Sequence, residues 1–142
     1  MRAVLDANVL VRGLISERGS PARILALWER EAFELVVSPF ILEEMKRVLH
    51  YPRIQERYSL SDEHITSFLG LLGSLALMVH PTDVIDIISQ DPDDNRYLEC
   101  ALTGEASYLV SGDQHLLTLG EYAGVIILPP AGFLALLDYE GY

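Results

Sequence analysis

The chain has 142 residues, half of them hydrophobic, and its 10 basic against 21 acidic side chains give a formal charge of −11. That length and apolar content support one domain, 1–142, with a substantial core. The charge excludes a passive polyanion binder, so any nucleic-acid role requires cations.

The first element is "AVLD", residues 3–6, a short apolar run closed by Asp6 that reads as a buried strand. An aspartate after so few apolar residues excludes a secretory leader in "MRAVLDANVL". Ser20-Pro21 opens a helix with Ile24, Leu25, Leu27 and Trp28 at helical spacing. "ELVVS", 34–38, is a second strand, and Ser38-Pro39 caps a helix running toward Leu49. "YPRIQERY" reads as a helical turn or short helix, Ser61-Asp62 starts a helix through about Leu72, and "LALMVH", 75–80, is a third strand. In "DPDDNRYLECA", 91–101, Asp91 serves as an N-cap with Pro92 at the first helical position. Cys100 in that helix is the only cysteine, which excludes an internal disulfide and fits a reducing compartment, the cytoplasm. "SYLVSG", 107–112, and "GVIILP", 124–129, are further strands, followed by a C-terminal helix. The apolar runs "LLGSLALMV" and "VIILPPAGFLALL" are too short to span a bilayer, so no membrane role is expected. The alternation predicts an α/β fold with a mostly parallel sheet covered on both faces. Sites in such folds form beyond the carboxyl ends of the strands.

Four acids fall there. Asp6 closes the first strand, and Asp113 follows the fourth across a glycine. Asp94 shares a helical stripe with Leu98, Ala101 and Leu102, whereas Asp93 points away. On the helix after Ser38, Glu44 lies about 100° from the Met45 centre of the apolar face and Glu43 about 160°, so Glu44 reaches the cleft and Glu43 is solvated. Capping explains any single aspartate, but four acids from four segments converging on one edge require cations. Carboxylate donors without a Cys/His cluster point to Mg²⁺ or Mn²⁺, which activate water and neutralise charge on a phosphodiester. Asp6, Glu44, Asp94 and Asp113 are therefore the expected catalytic and metal-binding set. Asn8 either orients Asp6 or a metal-bound water, or caps the next segment; Ser38 and Ser111 are placed to support the site.

The pieces "LDANVLV" with Asp6 and Asn8, "SPFILEEMKRVL" with Glu44, "DPDDNRYLECAL" with Asp94 and "YLVSGDQHLL" with Asp113 together resemble the PIN-domain nucleases. The likeness is to the VapC-like branch, the toxins of toxin–antitoxin systems. "GSPARIL" adds to it, and it covers nearly the whole chain. Ser111 stands where the family often has threonine and keeps the hydroxyl. The resemblance implies a three-layer α/β/α sandwich, a divalent-metal site built from these acids and hydrolysis of RNA. It also implies a homodimer and a cognate antitoxin as partner.

Rival readings fit less well. A haloacid-dehalogenase phosphatase needs a second aspartate where Asn8 stands, and a response-regulator receiver needs a lysine after a late strand, whereas Lys46 is the only lysine. No Gly-rich turn ends in Lys-Ser or Lys-Thr, so there is no P-loop. A non-catalytic PIN-like module that binds a protein or RNA is the alternative, separable by divalent-metal titration. His50, His64 and His80 are isolated; His115, two positions from Asp113, can reach the site. Arg12, Arg18, Arg53 and Arg57 are candidate substrate contacts, because arginine suits phosphate.

Overall fold

The computed structural model describes residues 1–141. Strands β1 (Arg2–Leu5), β2 (Glu34–Val37), β3 (Leu77–Met78), β4 (Tyr108–Val110), β5 (Glu121–Tyr122) and β6 (Val125–Leu128) form one sheet in the order β3-β2-β1-β4-β6-β5. All pairings are parallel except β5 with β6. The helices are α1 (Ala7–Ile15), α2 (Ser20–Glu29), α3 (Pro39–Leu49), α4 (Pro52–Tyr58), α5 (Asp62–Leu75), α6 (Asp94–Thr103), α7 (Gln114–Leu119) and α8 (Pro130–Tyr139). Helix α1 packs on α2 and α3, α2 on α8, and α3 on α5, whereas α6 lies against β1, β2 and β4. Right-handed crossovers put these two groups on opposite faces. The result is the expected three-layer α/β/α sandwich around a mostly parallel sheet.

Chain order reverses between β1 and β4: from β1 the chain steps outward to β2 and β3, then returns through α6 to β4 on the other side. A crevice therefore opens past the ends of β1 and β4, where neither following connection can cover it. The sheet beneath is fully buried at Ala3, Val4, Leu5, Val36, Val37, Leu109 and Val110. Helix α6 closes tightly on it, and a Cβ added at Gly104 would meet Val36 Cγ1 at 2.4 Å. Phe133 of α8 is fully buried, edge-on to Phe33 at 5.1 Å.

Several boundaries depart from the sequence reading. Helix α6 begins at Asp94, because Asp91 to Asp93 form a preceding turn: Asp91 O accepts from Asp94 N at 3.0 Å and Asp91 Oδ1 from Asp93 N at 3.3 Å. Asp91 thus caps a turn rather than the helix. Helix α1 was not expected, since "ANVLVRGLI" is rich in β-branched residues that form helices poorly. Capping by Asp6 and burial of Ala7, Val9, Leu10 and Val11 outweigh that propensity. Asn8 is therefore an exposed residue inside α1, and the cap is Asp6. Gly19, with φ 95°, precedes α2 in place of the expected Ser20 cap. Helix α5 continues to Leu75, which shortens β3 to two residues. The short elements α7 and β5 carry too few residues to show a period. Among the described residues no helix is long and apolar enough to cross a membrane.

Candidate active site

Asp6 is delivered by the end of β1 and is 5% exposed. Its Oδ1 accepts from Val9 N at 2.8 Å, capping α1, while Oδ2 accepts a short hydrogen bond from Ser111 Oγ. Ser111, fully buried after β4, also accepts from Asp113 N at 2.9 Å through the same hydroxyl oxygen. One hydroxyl thus ties the two strand ends on either side of the crevice. Asp113 caps α7, its Oδ1 accepting from His115 N at 2.9 Å and Leu116 N at 3.1 Å. Tyr97 of α6 accepts from Ala7 N at 3.3 Å and packs edge-on to Phe40 at 5.8 Å, joining α6 to the start of α1 and to α3.

Asp94 sits at the start of α6, 6% exposed, and its Oδ2 is buried without a hydrogen-bond partner. Its neighbours are Asp113 and His115: His115 Nδ1 is 3.8 Å from both Asp94 Oδ2 and Asp113 Oδ1. One ligand atom from each of Asp94, Asp113 and His115 lies within 4.8 Å of the others. Two full negative charges at that separation repel by about 3 kcal/mol at an effective dielectric of about 20. Burial first, and then the Asp113 carboxylate, with Asp91 and Asp6 adding, push the Asp94 pKa up to about 7. Burial likewise raises Asp6 above its ordinary range, against the hydrogen bonds from Ser111 and Val9. In the absence of a cation Asp94 therefore holds its proton to near-neutral pH. An orphaned, buried carboxylate oxygen beside a second carboxylate and an imidazole nitrogen fits a hard divalent cation, with room for one nitrogen donor.

Glu44 lies on the facing wall. Its side chain is 24% exposed and Oε2 accepts from Arg47 Nη2 at 2.6 Å, whereas Glu43 is exposed, as its helical angle predicts. Glu44 lines a cleft of about 360 Å³ together with Asp6, Asn8, Phe40, Arg47, Val48, Tyr51, Asp91, Asp93, Asp94, Tyr97 and Asp113. The cleft therefore gathers all four expected acids and Asn8. Asp94, Asp113 and His115 form its tightest group, with Asp6 joined through Ser111 and Glu44 held apart by Arg47. Ser38 caps α3 through Ile41 N at 3.4 Å and is 1% exposed, but it faces a neighbouring hollow with His80 and Arg96 rather than the cleft. Another cavity, about 370 Å³, opens near Trp28, Phe33 and Leu77 at the opposite edge, so size does not select the site. Convergence of acids does.

The expected arginines are not among the residues lining the cleft; Arg47 is the only cation there. Its sequence signal was available, since Arg47 follows Glu44 by one helical turn. Asn95, 1% exposed, was also missed. Its side chain accepts from Ile87 N and Ile88 N at 3.1 and 3.0 Å and donates to Ile88 O and Pro92 O at 2.8 and 3.0 Å. It thereby clamps the loop that leads into Asp94. Glu99 continues the clamp, accepting from Ile85 N at 2.9 Å and pairing with Arg96 at 2.8 Å.

No curated protein sequence matches the chain. Among solved structures, VapBC2 from Rickettsia felis, bound to a DNA fragment from their promoter, is similar at 14% identity and TM-score 0.58, over 91% of this chain and 98% of that one. PAE2754 from Pyrobaculum aerophilum is similar at 16% identity and TM-score 0.59, over 98% of this chain and 90% of that one. These likenesses carry the fold. The model of the PIN domain matches residues 2–115, a stretch that includes Asp6, Glu44, Asp94, Asp113 and His115, and the chain belongs to the PIN-domain family.

Proposed function

We propose that this protein is a divalent-metal-dependent endoribonuclease that hydrolyses RNA phosphodiester bonds. The observation that carries the reading is the buried, unpartnered Asp94 Oδ2 beside Asp113 and His115, at the crevice past the ends of β1 and β4. Asp94, Asp113 and Asp6 would hold Mg²⁺ or Mn²⁺, with Glu44 completing the acidic set from the facing wall. The bound cation would neutralise phosphate charge and acidify a water. The chain's own residues prepare that site. Ser111 fixes Asp6 and the backbone of Asp113 at once, Tyr97 holds the start of α1, and Asn95 holds the approach to Asp94. The oxygens thus need little rearrangement, which favours tight cation binding.

The whole chain, 1–142, acts in this reading as one domain, in the cytoplasm and as a homodimer. Its biological role is the toxin of a toxin–antitoxin pair with a cognate antitoxin as partner, supported by family membership and by the fold shared with a VapBC protein. The test is cleavage of tRNA and single-stranded RNA by purified protein in Mn²⁺ or Mg²⁺, repeated in EDTA and with Asp94→Asn from an identical preparation. Cleavage abolished in both is expected. Cleavage that survives Asp94→Asn marks a contaminant, and folded protein that binds Mn²⁺ but cuts nothing supports the binding module instead.

A further inference from the structure

A protein of charge −11 that handles RNA has to ration its cations, and the cleft contains one. Arg47 reaches into it from α3 with a side chain 56% exposed. Its position is fixed at two points: Nη2 donates to Glu44 Oε2 at 2.6 Å and Nη1 to the Tyr51 hydroxyl at 2.5 Å. The guanidinium carbon also lies 5.8 Å from the Tyr51 ring centroid. A guanidinium carries five N–H donors. Two are engaged here, leaving three without an acceptor among the described residues. An arginine that merely neutralised Glu44 would need only the first contact. One whose plane is set by a carboxylate and a phenol, with most of its donors still free, is prepared for a third partner with several acceptor oxygens.

We propose that Arg47 and Tyr51 form a nucleotide subsite at the mouth of the cleft, Arg47 binding a phosphate of the RNA that flanks the bond to be cut and the half-exposed Tyr51 ring stacking a base. Tyr51 is 41% exposed, which leaves its ring available to a base. The proposal rests on the ribonuclease reading and adds the residues that hold the strand. Because the contact is to a phosphate that does not react, it strengthens ground state and transition state alike, and its loss falls on KM rather than on kcat.

The experiment compares wild type, Arg47→Ala, Arg47→Lys, Tyr51→Ala and a charge-matched control, Arg23→Ala, whose arginine pairs with Asp138 on the α2–α8 surface. Steady-state cleavage of one single-stranded RNA that wild type cuts is measured across a salt series. Arg47→Ala should raise KM about tenfold or more with kcat little changed, as expected for one charge-assisted contact. The slope of log KM against log salt should fall by about 0.7, one phosphate of a single strand. Arg47→Lys should recover part of the KM but not all, Tyr51→Ala should raise KM without altering the salt slope, and Arg23→Ala should behave as wild type. An unchanged salt slope in Arg47→Ala, or a loss confined to kcat, overturns the proposal and leaves Arg47 as a group that positions Glu44. If wild type cuts no RNA, the ribonuclease reading fails; if wild type cuts and Arg47→Ala is indistinguishable, only the subsite fails.

Discussion

Replacing Asn95 by alanine is expected to be among the costliest polar substitutions in this protein, although Asn95 touches no proposed ligand. Its side chain satisfies two backbone N–H groups, of Ile87 and Ile88, and two carbonyls, of Ile88 and Pro92. Each such bond contributes about 0.5–1.5 kcal/mol net, so the full set is worth about 4 kcal/mol. The loop relieves part of this by peeling back into water, at the expense of the buried Ile85 and Ile88 side chains. A loss of about 2–4 kcal/mol follows, measured as a lower urea midpoint at unchanged m-value. Hydrogen exchange reports where the loss occurs: the Ile87 and Ile88 amides should lose protection while β1 and β4 keep theirs. Asn95→Asp separates the two halves of the clamp, since it keeps the acceptor and loses both donors. A loss under about 1 kcal/mol, with those two amides still protected, would refute the clamp.

Other outcomes follow from the same geometry. Glu44→Gln should strongly reduce RNA cleavage and Glu43→Gln leave it near wild type, because only Glu44 lines the cleft; equal losses would show that the helical face was misjudged. Asp94 has its pKa raised from 3.8 to about 7 in the native state, so native protein retains a proton that the unfolded chain releases between those values. The Asp94 contribution to cation-free stability should therefore be full below about pH 4 and be lost as pH rises through about 7, appearing as the difference between the pH profiles of wild type and Asp94→Asn in urea unfolding with EDTA. Saturating Mn²⁺, at about 100 times its dissociation constant, should add about 2.7 kcal/mol and raise Tm by several degrees. Asp113→Asn should keep the cation-free Tm and lose most of that rise.

The fold was legible where the period was long or the ends were marked. Ser38-Pro39 and Ser61-Asp62 announce α3 and α5, and the helical angles of Glu43 against Glu44 match their burial, whereas Asp93 precedes α6 and lines the cleft beside Asp94 rather than pointing away from it. What was hidden is hidden for physical reasons. Helix α1 is written in β-branched residues and forms because Asp6 caps it and packing on α2 and α3 buries it. The strand order, and with it the switch point between β1 and β4, is a pairing between distant segments that no local pattern encodes. Asn95 escaped because its meaning lies in partners, the amides and carbonyls of a distant loop, whereas Arg47, one helical turn from Glu44, was open to being read. His115 was readable as a residue able to reach the site, and its Nδ1 lies 3.8 Å from Asp94 Oδ2.

In the sequence, capping and metal binding compete as explanations of Asp6 and Asp113; at Asp113 the two need not compete, because the cap uses one oxygen and leaves the other for a cation. Asp113 Oδ1 accepts from His115 N and Leu116 N, the work of a cap, and Oδ2 takes no hydrogen bond from the described residues. Asn keeps an acceptor at Oδ1 and caps as well as Asp, whereas Ala loses the cap at about 0.5–2 kcal/mol. The charge is a separate quantity: removing it relieves the repulsion that lifts Asp94, so Asp113→Asn gives up nothing in the cation-free fold. Asp113→Ala should therefore lower the cation-free Tm and Asp113→Asn should not, while both abolish cleavage and the Mn²⁺ shift. Were Asp113→Asn to retain the shift, Asp113 would be a cap alone, and the cation would have to be held by Asp94 with Asp6 or Glu44. Asp6 carries a heavier structural load, because its Oδ2 is also the acceptor for Ser111. An amide there presents a donor to a hydroxyl that already accepts from Asp113 N, so Asp6→Asn perturbs both strand ends. Asp113, rather than Asp6, is thus the position at which charge can be removed with the architecture left in place.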